Sequence, residues 1–363
     1  MNEYMLGQPT ARYEIIRETT SRDNNLLNIQ WLCDIAGISR SGYYYWLSTQ
    51  SKRLEKEQQD KDDFTLIVQA YQYRGYDKGA RGIHMRLLRF KPPVIMNTKK
   101  VSRLMRKFNL FCPVRQPNPY RVNSKANLAV RASPNLLNRA FRAYGSRMVL
   151  LTDITYISRR KNREDGPEVY TYLCVIMDAF TKEALAYSMS ISPDTDLVLA
   201  AVNMLIENHG SELKTDTLVH SDQGCQYTSH RFAEVLRNLE LRQSMSRRAT
   251  CWDNAPQESF FGHMKDEIRI RYRSDNHTMI VEKVEEWIDY YNNDRPQWVL
   301  AKLTPSEFYQ YTITGIYPLP VPPPENAAAA LATGGAAPEP PEFIALVSKE
   351  GDDEERSHTD DTN

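Results

Sequence analysis

Apolar residues follow two rhythms along this chain, and the change comes near Met148. Before it they recur at helical spacing. Leu27, Trp31, Leu32 and Ile35 form a first stripe. Gly37 can make the turn after it, and Ser39 can cap a second helix carrying Arg40, Tyr44 and Trp46. Residues 24–47 thus have the outline of a helix-turn-helix, a weak signal by itself because many helical hairpins share it. Residues 51–60 read as a polar linker. A second helical block follows over residues 61–109, with stripes of Phe64, Ile67, Val68 and Tyr71, then Ile83, Leu87 and Leu88, then Val101, Leu104, Met105 and Phe108. Asn97 or Thr98 caps the last helix. Its other face carries Lys99, Lys100, Arg103, Arg106 and Lys107, as expected of a helix lying against DNA.

From Met148 the rhythm is that of strands, predicted at 148–157, 168–178 and 182–191, with a charged loop after the first and a hairpin turn at Asp178. A helix over 195–208, a strand at 217–221, a helix at 229–239, a strand at 241–245 and a helix from Ala255 follow. Further helices cover 278–293 and the segment from Thr304. Three consecutive strands, then alternating helix and strand, predict an α/β fold: a mixed sheet flanked by helices, preceded by all-α modules. The implied organisation is a helix-turn-helix-like module with its linker (1–60), a second helical module (61–112), a basic linker (113–145), an α/β core (146–312) and a Pro/Ala-rich acidic tail (318–363) with the composition of a disordered segment.

Charge sharpens this division. The net charge is zero, yet residues 1–152 hold 26 Lys and Arg against 11 Asp and Glu, whereas residues 318–363 hold 2 against 10. Residues 78–152 hold 17 basic side chains and no acid. Such a block points to a polyanionic partner. It includes Arg115 and Arg121 in the basic linker, placed to follow phosphates. The acidic tail could compete with DNA for the basic region. No run of 18 apolar residues and no signal-peptide pattern occurs, so neither a membrane span nor secretion is expected. Five scattered cysteines without a C-x-x-C pair speak against a disulfide scaffold and for the cytoplasm.

Three carboxylates stand in settings suited to a metal. Asp153 interrupts the apolar run Met148-Val-Leu-Leu-Thr-Asp-Ile-Thr-Tyr-Ile157, where an ionised side chain is costly unless neutralised. Asp222 ends the fourth predicted strand, and open α/β sheets place ligands beyond such ends. Glu258 opens a helix, and Lys265, nearly two turns later, projects from the same face. Hard divalent cations take oxygen ligands of this kind. Two such ions side by side clamp the attacking and leaving oxygens of a phosphodiester. Asp253 reads more simply as the cap of that helix, and Asp178 as a turn residue. His220 and His263 flank the trio, and His220 lies two residues before Asp222, on the same strand face.

The segments Thr152-Asp-Ile-Thr-Tyr-Ile157, His220-Ser-Asp-Gln-Gly-Cys-Gln-Tyr-Thr-Ser229 and Asp253-Asn-Ala-Pro-Gln-Glu-Ser-Phe-Phe261 resemble the integrase-core transposases of bacterial insertion sequences, in particular the second-reading-frame product of the third-insertion-sequence family. Thirty-five residues separate Asp222 from Glu258, the spacing of this DDE group. Tyr290-Tyr-Asn-Asn-Asp-Arg-Pro296 and Leu303-Thr-Pro-Ser-Glu-Phe308 extend the resemblance, as do the helical modules upstream, so that it covers about residues 25–310. Leu150 and Leu151 stand where the family often has an aromatic residue, Cys225 and Cys251 replace smaller or more polar residues, and the tail is longer than usual.

The resemblance implies an RNase H-like catalytic core in which Asp153, Asp222 and Glu258 hold two Mg²⁺, with Mn²⁺ as substitute. Lys265 would hold a phosphate or base near the cut. The substrates would be double-stranded element ends (terminal inverted repeats) and target DNA, nicked and joined without a covalent protein intermediate. Two DNA ends imply at least two protomers, and family members commonly act as a fusion with an upstream reading frame. A bacterial, nucleoid-associated protein is expected. A retroviral-type integrase would carry a His-His-Cys-Cys module near its start, and His84 is the only histidine before residue 150. A structure-selective nuclease would need no long basic lead, and a DNA-binding regulator would need no acids.

Overall fold

The computed structural model describes residues 9–22, 26–75, 78–112, 137, 144–158, 169–215, 217–246, 254–271 and 276–323. The chain forms two compact units, Met1–Pro113 and Val114–Asn363.

The first unit is helical: α1 Pro9–Thr20, α2 Ile29–Ala36, α3 Arg40–Ser48, α4 Gln50–Gln72, α5 Ala80–Leu87 and α6 Thr98–Lys107. The turn between α2 and α3 forms as its residues dictate. Gly37 takes φ 63°, and the Ser39 side chain accepts from the Gly42 amide to cap α3. The buried face of α2 is not the predicted stripe. Leu32 and Cys33 are buried, whereas Trp31 and Ile35 are 63% and 71% exposed. The cause is α1, which the pattern did not reveal: its Ile16 joins Leu32, Cys33, Tyr43 and Trp46 in one cluster, and Tyr13 stacks on Trp46.

The expected linker at 51–60 is instead part of the 23-residue helix α4. Its Lys, Arg, Leu, Glu and Gln are good helix formers, and it has neither Gly nor Pro. Bonds between Gln58 and Asp62 and between Gln59 and Asp63 support it at i, i+4 spacing. Ile67 and Ala70 of α4 pack with Ile83, Leu87, Val101, Leu104 and Met105 of α5 and α6.

In the second unit, β1 (Val149–Ser158), β2 (Tyr170–Asp178), β3 (Ala184–Ser190), β4 (Leu218–Ser221) and β5 (Arg242–Met245) form one sheet in the order β3-β2-β1-β4-β5. The first three pair antiparallel, and β4 and β5 extend the sheet in parallel. Helices α7 (Thr195–His209), α8 (His230–Asn238), α9 (Ala255–Arg271), α10 (His277–Asn293) and α11 (Pro305–Thr314) complete it. This is the mixed sheet flanked by helices that the pattern of strands and helices predicts, and it agrees with the fold that the family resemblance implies. One face buries Leu150, Cys174, Ile176 and Val219 with Leu197, Val198, Val202 and Leu205 of α7 and Phe232 and Leu236 of α8. Residues 318–323 belong to the described chain, and Leu319 packs with Tyr317 on the cluster of Phe180, Leu300, Leu303 and Phe308. The rest of the predicted tail lies outside the described residues.

Asp178 is more than a turn residue. It is fully buried, and Oδ1 accepts from the Phe180 amide while Oδ2 accepts from the Arg147 amide and guanidinium. Arg147, also buried, reaches Glu183 and Glu212 at 2.8 Å each and stacks 3.9 Å from the Tyr309 ring of α11. One cation thus ties the start of β1 to the β2–β3 turn, the end of α7 and the C-terminal helix. Removing one partner from a buried pair leaves an uncompensated charge. Arg147→Ala is therefore expected to destabilise this unit by about 3–5 kcal/mol in urea unfolding. A loss below about 1 kcal/mol, the range of an exposed ion pair, would contradict that role.

Candidate active site

Asp153 lies mid-way along β1, paired in register with Val175 of β2. On the other side of β1, Leu151 pairs with His220 of β4. Carried two residues further, the same parallel register sets Asp153 beside Asp222, which directly follows the last residue of β4. Glu258 stands in the first turn of α9. The preceding residue anchors that turn: Gln257 is fully buried and its Nε2 donates to the Val175 carbonyl at 3.1 Å. The backbone of Asp153's own strand partner therefore positions the helix that carries Glu258. Sequence reasoning missed Gln257, and its place beside Glu258 was the only available signal.

The electrostatics join the three acids. Burial, and after it the Asp222 carboxylate, push Asp153 up to about 7; Glu258 adds to the rise, while the Ile154 amide and Lys265 oppose it. Lys265 sits on the same helix as Glu258, with Nζ 4.7 Å from the centre of the Tyr156 ring. Asp222 and Glu258 are exposed, so the site opens to solvent from a partly buried floor at Asp153. Among the described residues, no group of three or more His, Cys, Asp or Glu is already drawn together as an ion's ligand set. Two of the acids bind backbone instead: Asp153 Oδ1 accepts from the Ile154 amide at 2.8 Å, and Asp222 Oδ1 from the Gly224 amide at 2.9 Å. The donor set is all carboxylate oxygen, which suits a hard divalent ion, and the raised Asp153 marks uncompensated negative charge.

Both histidines serve the scaffold. His220 is fully buried and its Nδ1 bonds Ser244 of β5 at 2.9 Å. His263 Nδ1 lies 3.0 Å from Arg295, whose guanidinium also donates to the buried Glu267, and Glu267 in turn accepts from Trp287 Nε1. The segment around Tyr290–Arg295 thereby clasps α9 through side chains that the sequence pattern did not assign. Asp253 lies outside the described residues.

The other proposed DNA contacts belong to the first unit. Arg40 is exposed and lies over Tyr44. The cationic face of α6 is not uniformly free. Arg103 grips Asp60 through two bonds of 2.8 and 2.7 Å, Lys107 binds Asp60 and Glu57, and Lys100 pairs with Asp63. The Asp60 carboxyl is held far below its ordinary range, first by Arg103 and then by Lys107. Lys99 and Arg106 are exposed. Arg115 and Arg121 lie outside the described residues.

The family models that match this chain agree with this architecture. Residues 143–251 and 239–305 each match an integrase core domain, and residues 57–118 match an HTH-like domain. The putative transposase InsK of insertion sequence IS150 from Escherichia coli K12 is 30% identical over 279 residues, covering 76% of this chain and 92% of that protein. An uncharacterized 31 kDa protein of insertion element IS600 from Shigella sonnei is 29% identical over 278 residues, covering 76% and 97%. The HTLV-2 integrase catalytic core, solved with magnesium, superposes with a TM-score of 0.37 at 14% identity over 46% of this chain and 99% of that one. A helical amino-terminal region with an HTH-like domain and an integrase core define the class. The chain belongs to the transposases of bacterial insertion sequences.

The raised Asp153 yields a test of the geometry independent of DNA. Between its ordinary value near 3.8 and about 7, the folded protein holds a proton at Asp153 that the unfolded chain has lost. Stability from this group therefore falls as pH rises through that window. In EDTA, Asp153→Asn is expected to be more stable than wild type at pH 8 by on the order of 2–4 kcal/mol, with the difference closing near pH 4. Equal stabilities at pH 8 would mean that Asp153 is neither desolvated nor crowded by other acids.

Proposed function

We propose that the protein nicks DNA at the ends of its element and joins them to new DNA, with Asp153, Asp222 and Glu258 as the catalytic, metal-holding acids. The observation that carries this reading is geometric: the β1–β4 register runs from Leu151 opposite His220 toward Asp153 and Asp222, and the turn that carries Glu258 is bonded through Gln257 to Val175, the strand partner of Asp153. Carboxylates crowded in this way make sense where a cation offsets them. When bound, a pair of Mg²⁺ ions, or Mn²⁺ in their place, supplies a polarised nucleophile and charge stabilisation at the leaving oxygen. The residues do the rest by position. β1 holds Asp153, the loop that follows β4 holds Asp222, and α9, anchored through Gln257, holds Glu258. A water molecule or a DNA 3′-hydroxyl attacks the phosphorus, and the existing ester bond breaks with departure of its 3′ oxygen. Lys265, on the face of α9 that carries Glu258, is suited to hold a phosphate of the cut strand.

The first unit would hold the element ends. Of the cations singled out, Lys99, Arg103, Arg106 and Lys107 of α6 and Arg40 of α3 are exposed, Arg103 and Lys107 while bound to acids of α4, and Arg115 and Arg121 follow in sequence. Joining two ends calls for at least two protomers. A nuclease with the same acids is separated by product: end-labelled duplexes yield joined strands with a transposase and cut strands alone with a nuclease.

Asp153→Asn, Asp222→Asn and Glu258→Gln are each expected to abolish cutting and joining in Mg²⁺ while end binding stays within a few-fold of wild type by gel shift. Full activity of any one of them sinks the assignment. Lys265→Ala is expected to lower the rate about 10- to 100-fold, in keeping with loss of one charge-stabilising contact. A wild-type rate would reduce Lys265 to a surface residue.

A further inference from the structure

Asp222 sits on no regular element. β4 ends at Ser221 and α8 begins at His230, so the intervening loop must be fixed by its own bonds. Within the loop, the Gly224 amide donates to Asp222 Oδ1, and the Tyr227 and Thr228 amides donate to the Gly224 carbonyl at 3.0 Å. The fit is close, for a Cβ on Gly224 would lie 3.0 Å from Asp222 Oδ1. Gln223 Nε2 donates to Ser246, and Gln243 Nε2 to the Tyr227 carbonyl, which ties the loop to β5 and the residue after it.

One side chain ties the loop to β1. Tyr227 is 1% exposed, its ring packs edge-on against Phe232, and its hydroxyl lies 3.1 Å from Thr152 Oγ1 and 3.8 Å from Cys174 Sγ. Thr152 and Cys174 are themselves buried. Burial holds the Tyr227 phenol well above its ordinary value, so it stays a neutral donor. Thr152 immediately precedes Asp153. By strand alternation its side chain lies on the opposite face of the sheet. The hydroxyl pair is thus a brace beneath the site. It links the residue next to Asp153, through Tyr227 and Gly224, to Asp222.

We propose that Tyr227, through Thr152, is a positioning residue that sets the separation of Asp153 and Asp222 and so the affinity of the site for a divalent cation. This rests on the reading of those acids as metal ligands. Phe at 227 and Val at 152 keep the shape of the packing and remove only the hydroxyls. Removing both partners of a buried hydrogen bond in favour of apolar groups of the same shape is nearly neutral for stability. Partners that orient metal ligands, by contrast, typically matter 10- to 100-fold in metal affinity. The two effects can therefore be told apart.

The test uses the full chain and MgCl₂ or MnCl₂ alone, with binding followed by calorimetry. Tyr227→Phe is expected to weaken cation binding about 10-fold, with the metal-free Tm of the Tyr227→Phe/Thr152→Val double variant, which removes both partners, within about 3 °C of wild type. Thr152→Val should do the same, the double variant should be no weaker than either single one, and Thr152→Ser should retain wild-type affinity. Wild-type cation binding by Tyr227→Phe or by Thr152→Val overturns the proposal, as does full additivity of the two changes. If either variant fails to fold, the hydroxyls are structural and the proposal fails too. Asp222→Asn separates this outcome from the underlying reading: cation binding unchanged in that variant removes the metal site itself, whereas its loss beside an unaffected Tyr227→Phe removes only the brace.

Discussion

A carboxyl group on the central strand of a sheet is the constraint around which the second unit is organised. Asp153 could escape its cost by turning to solvent or by pairing with a cation of the chain, and it does neither fully. The Ile154 amide and Lys265 offset part of the charge, while Asp222 and Glu258 add to it. Each neighbouring acid is held by a separate device: Asp222 by a loop folded tightly about Gly224, Glu258 by a helix whose first turn is bonded to β2 through Gln257. A fold that maintains three such placements against their mutual repulsion must be rigid elsewhere. The buried Arg147 group and the pairing of Arg295 with Glu267 tie further elements of the unit together.

The two ion-pair systems differ in what they do. Arg147 is enclosed by Asp178, Glu183 and Glu212, so its charge is neutralised inside the core, where hydrogen bonds satisfy the guanidinium. The pairs of α6 with α4 lie at a surface, and Arg103 remains 47% exposed even while bound to Asp60. Asp60 and Asp63 are nevertheless buried, and Asp60 is held by both Arg103 and Lys107, a network rather than an isolated surface pair. These pairs also act electrostatically: Glu57, Asp60 and Asp63 offset part of the positive charge that Lys100, Arg103 and Lys107 give α6. The sequence count of a long acid-free basic block therefore overstates the charge this helix offers to DNA, because the neutralising acids come from a helix earlier in the chain.

What could be read from the sequence follows the range of the interactions. The strands and helices of the core were legible to within a few residues, since alternation, helical stripes and caps such as Ser39 and Asn97 are local. The three acids were singled out by their local settings and joined as a set by the family resemblance. What the chain did not disclose was non-local. Nothing near Leu32 shows that α1 will cover it and leave Trp31 and Ile35 exposed. Residues 51–60 look like a linker by polarity and are helical by propensity, and propensity prevails where no residue breaks the helix. The second role of Asp178 depends on Arg147, 31 positions away.

The same reasoning explains why Tyr227 was invisible as anything but an aromatic in a motif. Its ring is satisfied locally by Phe232, five residues along the chain, whereas its hydroxyl finds Thr152 across a separation of 75 residues. A phenylalanine would serve the first contact equally well. The buried hydroxyl has meaning only through the partner it reaches, and that partner immediately precedes Asp153. The bonds that place the acids relative to one another thus lie under the sheet and in the loop behind them, on side chains that need never meet a ligand.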